Sequence, residues 1–331
     1  MVNFCVFGAG RIGRIHAGNI ARNPRAKLVC VVDPVEEAAT ALAGELGAAS
    51  APDAATAFAR HPIDAVLIGS STNTHLELIT ASAEAGKAIL CEKPVDLEIG
   101  RVDRCLEAVR RNPVPFMVAF NRRHDPHVAA LRQRLVAGEI GDLAMLIMTS
   151  RDPSPPPVSY IKVSGGYWRD STIHDFDLVR WLLGEEPIEV MAKGSNLVDP
   201  AIGEAGDVDT AMTMLSTASG KLAFINNSRR CAYGFDQRIE AFGSGGMLQM
   251  GNVHENTVLR SGPGGYGQEE RLLAFFLERH ADSYRRELDA FLDALERGGP
   301  MPSTGEDGRK ALLLADAALE SHRTGRAVRV G

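Results

Sequence analysis

The chain opens as an alternation of short apolar runs with segments of helical period. Residues 2–7, 27–32, 63–69, 87–91 and 114–120 are rich in Val, Ile, Leu, Cys and Phe and read as strands. Helical patterns fill most of the intervals, over residues 11–20 and 76–85, and from a cap at Asp96 to about Arg111. Strands separated by helices predict parallel pairing, so residues 1–121 read as one α/β domain. After residue 122 the rhythm changes. A helix at about 127–137 and a turn over 138–142 lead to a strand at 143–149. Four prolines then keep residues 152–157 out of regular structure. A helix over about 172–183, stopped by Gly184, is followed by strand candidates at 188–195, 209–216, 221–227, 237–242 and 247–250. Joins as short as Ser219-Gly220 and Ser244-Gly245-Gly246 favour antiparallel neighbours. Residues 122–331 are therefore expected to form a second α/β domain with a large, mostly antiparallel open sheet. Its uncovered face is a candidate for contact between subunits. Helical patterns at about 280–296 and 308–322 close the chain and are expected to help fix the domains, packing back on the first.

The first strand runs into Gly8-Ala9-Gly10-Arg11-Ile12-Gly13 and then a helix. Gly8 allows the tight turn, Gly10 lets backbone approach a pyrophosphate, and Gly13 brings helix close to strand. Amides at the helix start, at Arg11 and Ile12, then face the phosphates. The motif alone is weak evidence. Its context strengthens it, because the second strand ends in Asp33, about 20 residues beyond the last glycine, where a carboxylate meets ribose hydroxyls and repels a 2′-phosphate. NAD is expected over NADP. Asp33 could also be a plain turn residue before Pro34. Ser70, Ser71, Thr72, Asn73 and His75 follow the third apolar strand at the end where nucleotides bind in such sheets. Glu92 and Lys93 end the next strand, and Pro94 confines Lys93 to extended backbone.

Asp170 stands four residues before His174 at the start of a predicted helix, so the two share a face. A carboxylate that orients an imidazole makes it a fitting acceptor for an alcohol proton near neutral pH. Helix capping by Asp170 or Ser171 would explain the same residues without chemistry.

Composition narrows the field. The 331 residues allow two domains, and 45% hydrophobic with 24% charged residues is a soluble globular balance. The net charge of −6 is scattered, with no basic tract for nucleic acid. No apolar run reaches membrane-spanning length and the first residues enter a strand directly, so a cytoplasmic protein is expected. Cys5, Cys30, Cys91, Cys105 and Cys231 are far apart and fit reduced, structural thiols, and no metal-ligand spacing is seen.

Several stretches together resemble the Gfo/Idh/MocA oxidoreductases, and within them the inositol 2-dehydrogenases. They are the glycine turn, Glu92-Lys93-Pro94, residues 150–157, the segment from Gly165-Gly166 through Asp170, His174 and Asp175, and residues 227–238. The resemblance covers nearly the whole chain. It implies a Rossmann domain with a second α/β domain, commonly a homotetramer, and oxidation of myo-inositol to scyllo-inosose with NAD. It also implies Lys93, Asp170 and His174 as catalytic residues, with Arg123, Asp152 and Tyr233 joining them on a cyclic polyol. Tyr284 is a weaker candidate, more in keeping with packing, and His280 stands where the family often has an aromatic. An NAD-dependent dehydrogenase of another inositol isomer or a pyranose sugar, and a dinucleotide-binding regulator without turnover, are the rival readings.

Overall fold

The computed structural model describes residues 1–330. The chain forms two compact units, one of Met1–Asn121 with Tyr284–Leu312 and the other of Arg122–Ser283 with the chain from Leu313 onward.

The first unit is built on six strands: β1 (Val2–Phe7), β2 (Ala26–Val32), β3 (Ala49–Ala51), β4 (Ala65–Ile68), β5 (Ala88–Glu92) and β6 (Phe116–Ala119). Their order is β3-β2-β1-β4-β5-β6, and every neighbouring pair is parallel. A parallel sheet is covered on both faces, which is why β4, β5 and β6 are unbroken buried runs. The helices α1 (Arg11–Arg22), α2 (Glu36–Leu46), α3 (Ala54–Arg60), α4 (His75–Glu84) and α5 (Ile99–Arg111) connect them. The order reverses between β1 and β4, the switch point at which such sheets bind nucleotides. Asp96 does not cap α5 as expected: the helix starts three residues later without a side-chain cap. Asp96 instead accepts from the amides of Leu97 and Glu98 and from Arg101 Nε, closing the turn before the helix.

The second unit begins with α6 (Pro126–Val136), capped by Asp125 with proline in the first turn. Next come β7 (Leu143–Arg151), a short α7 (Val158–Ile161), a π turn over Trp168–Thr172 and α8 (Ile173–Leu183). Gly184, at φ 63°, ends α8. The rest comprises β8 (Pro187–Ser195), α9 (Pro200–Glu204), β9 (Thr210–Thr217), β10 (Leu222–Ser228), β11 (Asp236–Gly243), β12 (Gly246–Met250), the hairpin β13 (Leu259–Gly262) and β14 (Gly265–Glu269), α10 (Phe276–Arg279) and β15 (Val328–Arg329). Seven strands make a sheet in the order β12-β11-β7-β10-β9-β8-β15, antiparallel except where β7 runs parallel to β10.

Alternation sets the two faces of this sheet. Ala211, Thr213 and Leu215 of β9 and Ala223 and Ile225 of β10 point into a core shared with Phe176, Val179 and Leu182 of α8. On the opposite face Met212 and Met214 of β9, Met145 of β7, Met191 of β8, Leu222 of β10 and Phe242 of β11 are exposed. The closing helices α11 (Ala281–Arg297) and α12 (Gly305–Thr324) serve both units. Leu288, Phe291 and Leu292 enter the first core, while Leu314, Ala315 and Ala318 enter the second. Among the described residues no helix is long and apolar enough to cross a membrane.

Candidate active site

In the first unit three glycines replace side chains where backbone must touch backbone. A Cβ on Gly13 would lie 1.9 Å from the carbonyl oxygen of Gly8, and one on Gly8, at φ 101°, would lie 2.7 Å from that of Gly69. Gly69 thus belongs to the same cradle, although as a strand end it carries no motif of its own. Gly10 has nothing within 4 Å of its Cβ position, so the turn is open at the point where a pyrophosphate would approach. This steric pattern fits a dinucleotide. The α1 terminus has no side-chain cap, leaving its first amides to a ligand or solvent.

Asp33 follows β2 and does two jobs at once. Its Oδ2 accepts from the amide of Ala9 at 2.7 Å and its Oδ1 from that of Val35 at 2.9 Å, so the carboxylate ties the glycine turn to the strand end. Of the loop after β4, Ser70 and Thr74 share a hydroxyl contact at 2.7 Å, and Asn73 accepts from Arg101 through its carbonyl. His75 is buried. Its Nδ1 is 3.0 Å from the carbonyl oxygen of Pro94 and its Nε2 3.2 Å from that of Ser70, so the ring joins the loops that leave β4 and β5. Burial lowers its pKa, while those carbonyls act the other way.

Lys93 comes at the end of β5 and is joined to Pro94 by a cis peptide bond. Its amide donates to Glu92 Oε2, and Glu92 Oε1 is 2.9 Å from His16 Nε2 of α1. Tyr284 stacks edge-on against His16, ring centroids 5.3 Å apart, so it packs within this unit. Glu287, fully buried, completes the group, and burial together with Glu92 raises its pKa well above the ordinary value. His16 and Glu287 carry no sequence signal beyond being polar residues on an otherwise apolar helix face.

In the second unit the Gly165-Gly166 pair takes φ of 85° and 88°, a left-handed turn that side chains disfavour. A Cβ on Gly166 would press to 3.3 Å from Asp207 Oδ1, which accepts from the amide of Tyr167. Asp170 then falls on the π turn and His174 in the first turn of α8. Such wide turns often occur at functional sites. Tyr167 and Thr172, at the starts of the π turn and of α8, make no side-chain cap, and Asp170 and Ser171 lie within the π turn rather than at either of those cap positions. Asp170 Oδ1 accepts from Tyr160 Oη at 2.8 Å and its Oδ2 from Arg229 Nη2 at 3.3 Å.

Asp175, beside His174, accepts from Arg122 Nη1 at 2.6 Å and from Asn227 Nδ2 at 2.9 Å. Asp152 follows β7, its amide bonded to the carbonyl of Ser228. Burial pushes its carboxyl up to about 6 against the pull of Arg229 and Arg122. The arginines at 122 and 123 part company: Arg123 makes a buried two-pronged pair with Asp177 of α8 at 2.8 and 2.5 Å, while Arg122 holds Asp175. Tyr233 is half exposed, donates to Asp236 Oδ2 at 2.7 Å and accepts from Arg151. His280 is buried edge-on to Phe235, with Nδ1 3.5 Å from Asp125 Oδ2, and burial drives its pKa down to about 4. It is a neutral packing residue here. Asp152, Asp170 and Asp175 thus gather around Arg229 and Arg122 in one acidic cluster with counterions.

Comparison with known proteins accords with both units. Residues 2–120 match the oxidoreductase family with NAD-binding Rossmann fold, and residues 128–249 match the GFO/IDH/MocA C-terminal domain. The chain is 48% identical to an inositol 2-dehydrogenase of Rhizobium meliloti (strain 1021), over 97% of this chain and 96% of that one. It is 46% identical to a myo-inositol 2-dehydrogenase of Thermotoga maritima, over 98% and 97%. The crystal structure of a myo-inositol dehydrogenase from Corynebacterium glutamicum superposes with a TM-score of 0.96 at 44% identity, covering 100% of this chain and 99% of that one.

Proposed function

The chain belongs to the Gfo/Idh/MocA oxidoreductase family with an NAD-binding Rossmann domain, and on that premise we propose that it oxidises myo-inositol to scyllo-inosose. The observation that carries this reading is similarity of 46–48% identity along nearly the full chain to relatives named inositol 2-dehydrogenase.

NAD, when bound, supplies the hydride acceptor. The protein's task is the other half of the balance: as the C–H electron pair leaves the carbinol carbon, the hydroxyl proton must be accepted for the carbonyl to form. His174 takes that proton. Asp170 orients the imidazole and stabilises its cation, and Lys93 hydrogen-bonds the substrate oxygen as negative charge develops on it. Asp152, Arg123 and Tyr233 are assigned to the remaining ring hydroxyls. The Gly8, Gly10, Gly13 and Gly69 cradle, the amides of Arg11 and Ile12, Asp33, the 70–75 loop and Glu92 are assigned to the dinucleotide.

The same reading extends to assembly. In register across the large sheet, Met214 pairs with Met191 and Phe224, and Phe242 with Met145, which makes an apolar stripe on the face away from α8. Stripes of this kind mark protein contacts. A cytoplasmic homotetramer using this face is the expected form, and a monomeric mass in light scattering would remove the assembly claim.

The test of function is a panel of inositol isomers, other polyols and pyranose sugars with NAD, read by absorbance of the reduced nicotinamide. Myo-inositol should give the highest kcat/KM. Turnover of a sugar alone would move the substrate assignment, and no turnover of any member would favour a non-catalytic dinucleotide sensor. His174→Ala should lower kcat by roughly 10² to 10⁴; near-normal kcat would remove the base assignment.

A further inference from the structure

Asp170 is the carboxylate assigned to orient His174, yet the residues that hold it come from elsewhere in the chain. Tyr160, on the short α7 that follows the proline loop, donates its hydroxyl to Oδ1 at 2.8 Å. Arg229, just past the end of β10, donates to Oδ2 at 3.3 Å. These partners are 10 and 59 residues away, and neither lies in the helix that bears His174.

Arg229 is itself rigidly placed. It is 1% exposed, and its guanidinium carbon lies 4.6 Å from the centre of the Tyr167 ring. A second carboxylate, Asp207, is 3.6 Å from the same Nη2, and Asp207 is in turn tied to the amide of Tyr167. The backbone amide of Arg229 donates to the carbonyl of Asp209 at 2.8 Å. A buried arginine pinned by a ring, a carboxylate and its own backbone has one orientation in which to meet Asp170. Tyr160 differs, since the residue is about half exposed.

We propose that Tyr160 and Arg229 are positioning residues, which lock the Asp170 carboxylate in one orientation from two sides and so present it to the imidazole of His174. The inference rests on the reading of Asp170 as the partner of His174. A carboxylate has about four lone-pair sites, so accepting from Tyr160 and Arg229 is compatible with a bond from the imidazole as well. With both donors in place the carboxylate does not have to reorient as the imidazolium forms, which is the advantage of a fixed electrostatic partner.

Tyr160→Phe, Arg229→Lys, Asp170→Asn and the double variant Tyr160→Phe/Asp170→Asn would be assayed with myo-inositol and NAD, with thermal unfolding measured on each. Tyr160→Phe removes one hydroxyl at a half-exposed site and is the decisive variant, because it should fold as the parent does. Its kcat should fall about tenfold, the loss of one hydrogen bond to a charged group. The KM for NAD and the melting temperature should stay unchanged. Added to Asp170→Asn, it should cost nothing further. Arg229→Lys keeps the charge without the planar fork and should be impaired in kcat as well.

Parent-like kcat in Tyr160→Phe while Asp170→Asn is crippled would overturn the inference and leave the catalytic pair intact. Full additivity in the double variant, or a fall in melting temperature that tracks the loss of kcat, would overturn it as well, since a structural role predicts those results. Parent-like activity in Asp170→Asn would instead bring down the assignment of Asp170, and the inference with it.

Discussion

Asn227 donates from Nδ2 to Oδ2 of Asp175 at 2.9 Å, while its own Oδ1 accepts from the hydroxyl of Thr172 at 3.1 Å. One side chain at the end of β10 therefore holds the residues on both sides of His174, two before it and one after. Asp175 is buried, which raises its pKa, and Arg122 and Asn227 oppose that shift. Asn227→Ala leaves the Thr172 hydroxyl and one oxygen of Asp175 without these partners. The expected cost is about 1–3 kcal/mol in urea unfolding, with a fall in kcat. Asn227→Asp should be worse, because it sets a second carboxylate against Asp175. An unchanged unfolding midpoint in Asn227→Ala would refute the bracing role.

These ties also show what a reader of the sequence could and could not see. The parallel sheet was legible because its strands are apolar runs that end in glycine or polar residues, and Gly8, Gly13 and Asp33 follow from the geometry of one turn. The α2, β3 and α3 elements, between Glu36 and Arg60, are not legible from pattern, since an alanine-rich stretch has little contrast between its faces. The hairpin of β13 and β14 is exposed along most of its length and so lacks alternation. Short joins pointed to β11 with β12 and β9 with β10, but nothing local tells that β7 lies between β10 and β11. In the candidate site, Asp170 and His174 stand out through their spacing. Tyr160, Arg229 and Asn227 were not visible as their supports, because only the fold brings them there.

Asp33 joins cofactor choice to the shape of the glycine turn. The parent protein should show a higher kcat/KM with NAD than with NADP, because a 2′-phosphate would meet this carboxylate. Asp33→Ala should narrow that preference. It should also raise the KM for NAD about tenfold or more, since the amides of Ala9 and Val35 lose their acceptor along with the ribose. Equal use of both cofactors by the parent would contradict the assignment.

Asp152 should give the substrate dependence an acidic limb. Burial raises its carboxyl to about 6, with Asp170 and Asp175 adding to the shift and Arg229 and Arg122 opposing it. Above that pH it is a carboxylate able to accept from a ring hydroxyl, and below it the group is neutral. The KM for inositol should rise as pH falls through about 6, whereas Asp152→Asn should show a flat KM over the same range. The stability effect has the opposite sign: a folded pKa above the unfolded value stabilises at low pH and is lost as pH rises toward 6. A KM for the parent that does not change between pH 5 and 7 would exclude Asp152 from the substrate contacts.

Glu287 makes the sharpest prediction about the first unit. Among the described residues neither carboxylate oxygen has a hydrogen-bond partner, the side chain is fully buried, and Glu92 lies near enough to disfavour a second negative charge. Burial is the larger cause of its raised pKa and Glu92 the smaller, so the folded protein holds Glu287 as the neutral acid. In the unfolded chain it ionises near pH 4.3. Its contribution to stability is therefore complete below that value and declines as pH rises toward the folded pKa, by up to about 1.4 kcal/mol for each pH unit. Glu287→Gln copies the shape of the neutral acid and cannot ionise. The two proteins should unfold alike near pH 5, and the variant should become progressively more stable as pH rises to 9. Parallel stability curves over that range would mean that Glu287 is already ionised in the fold.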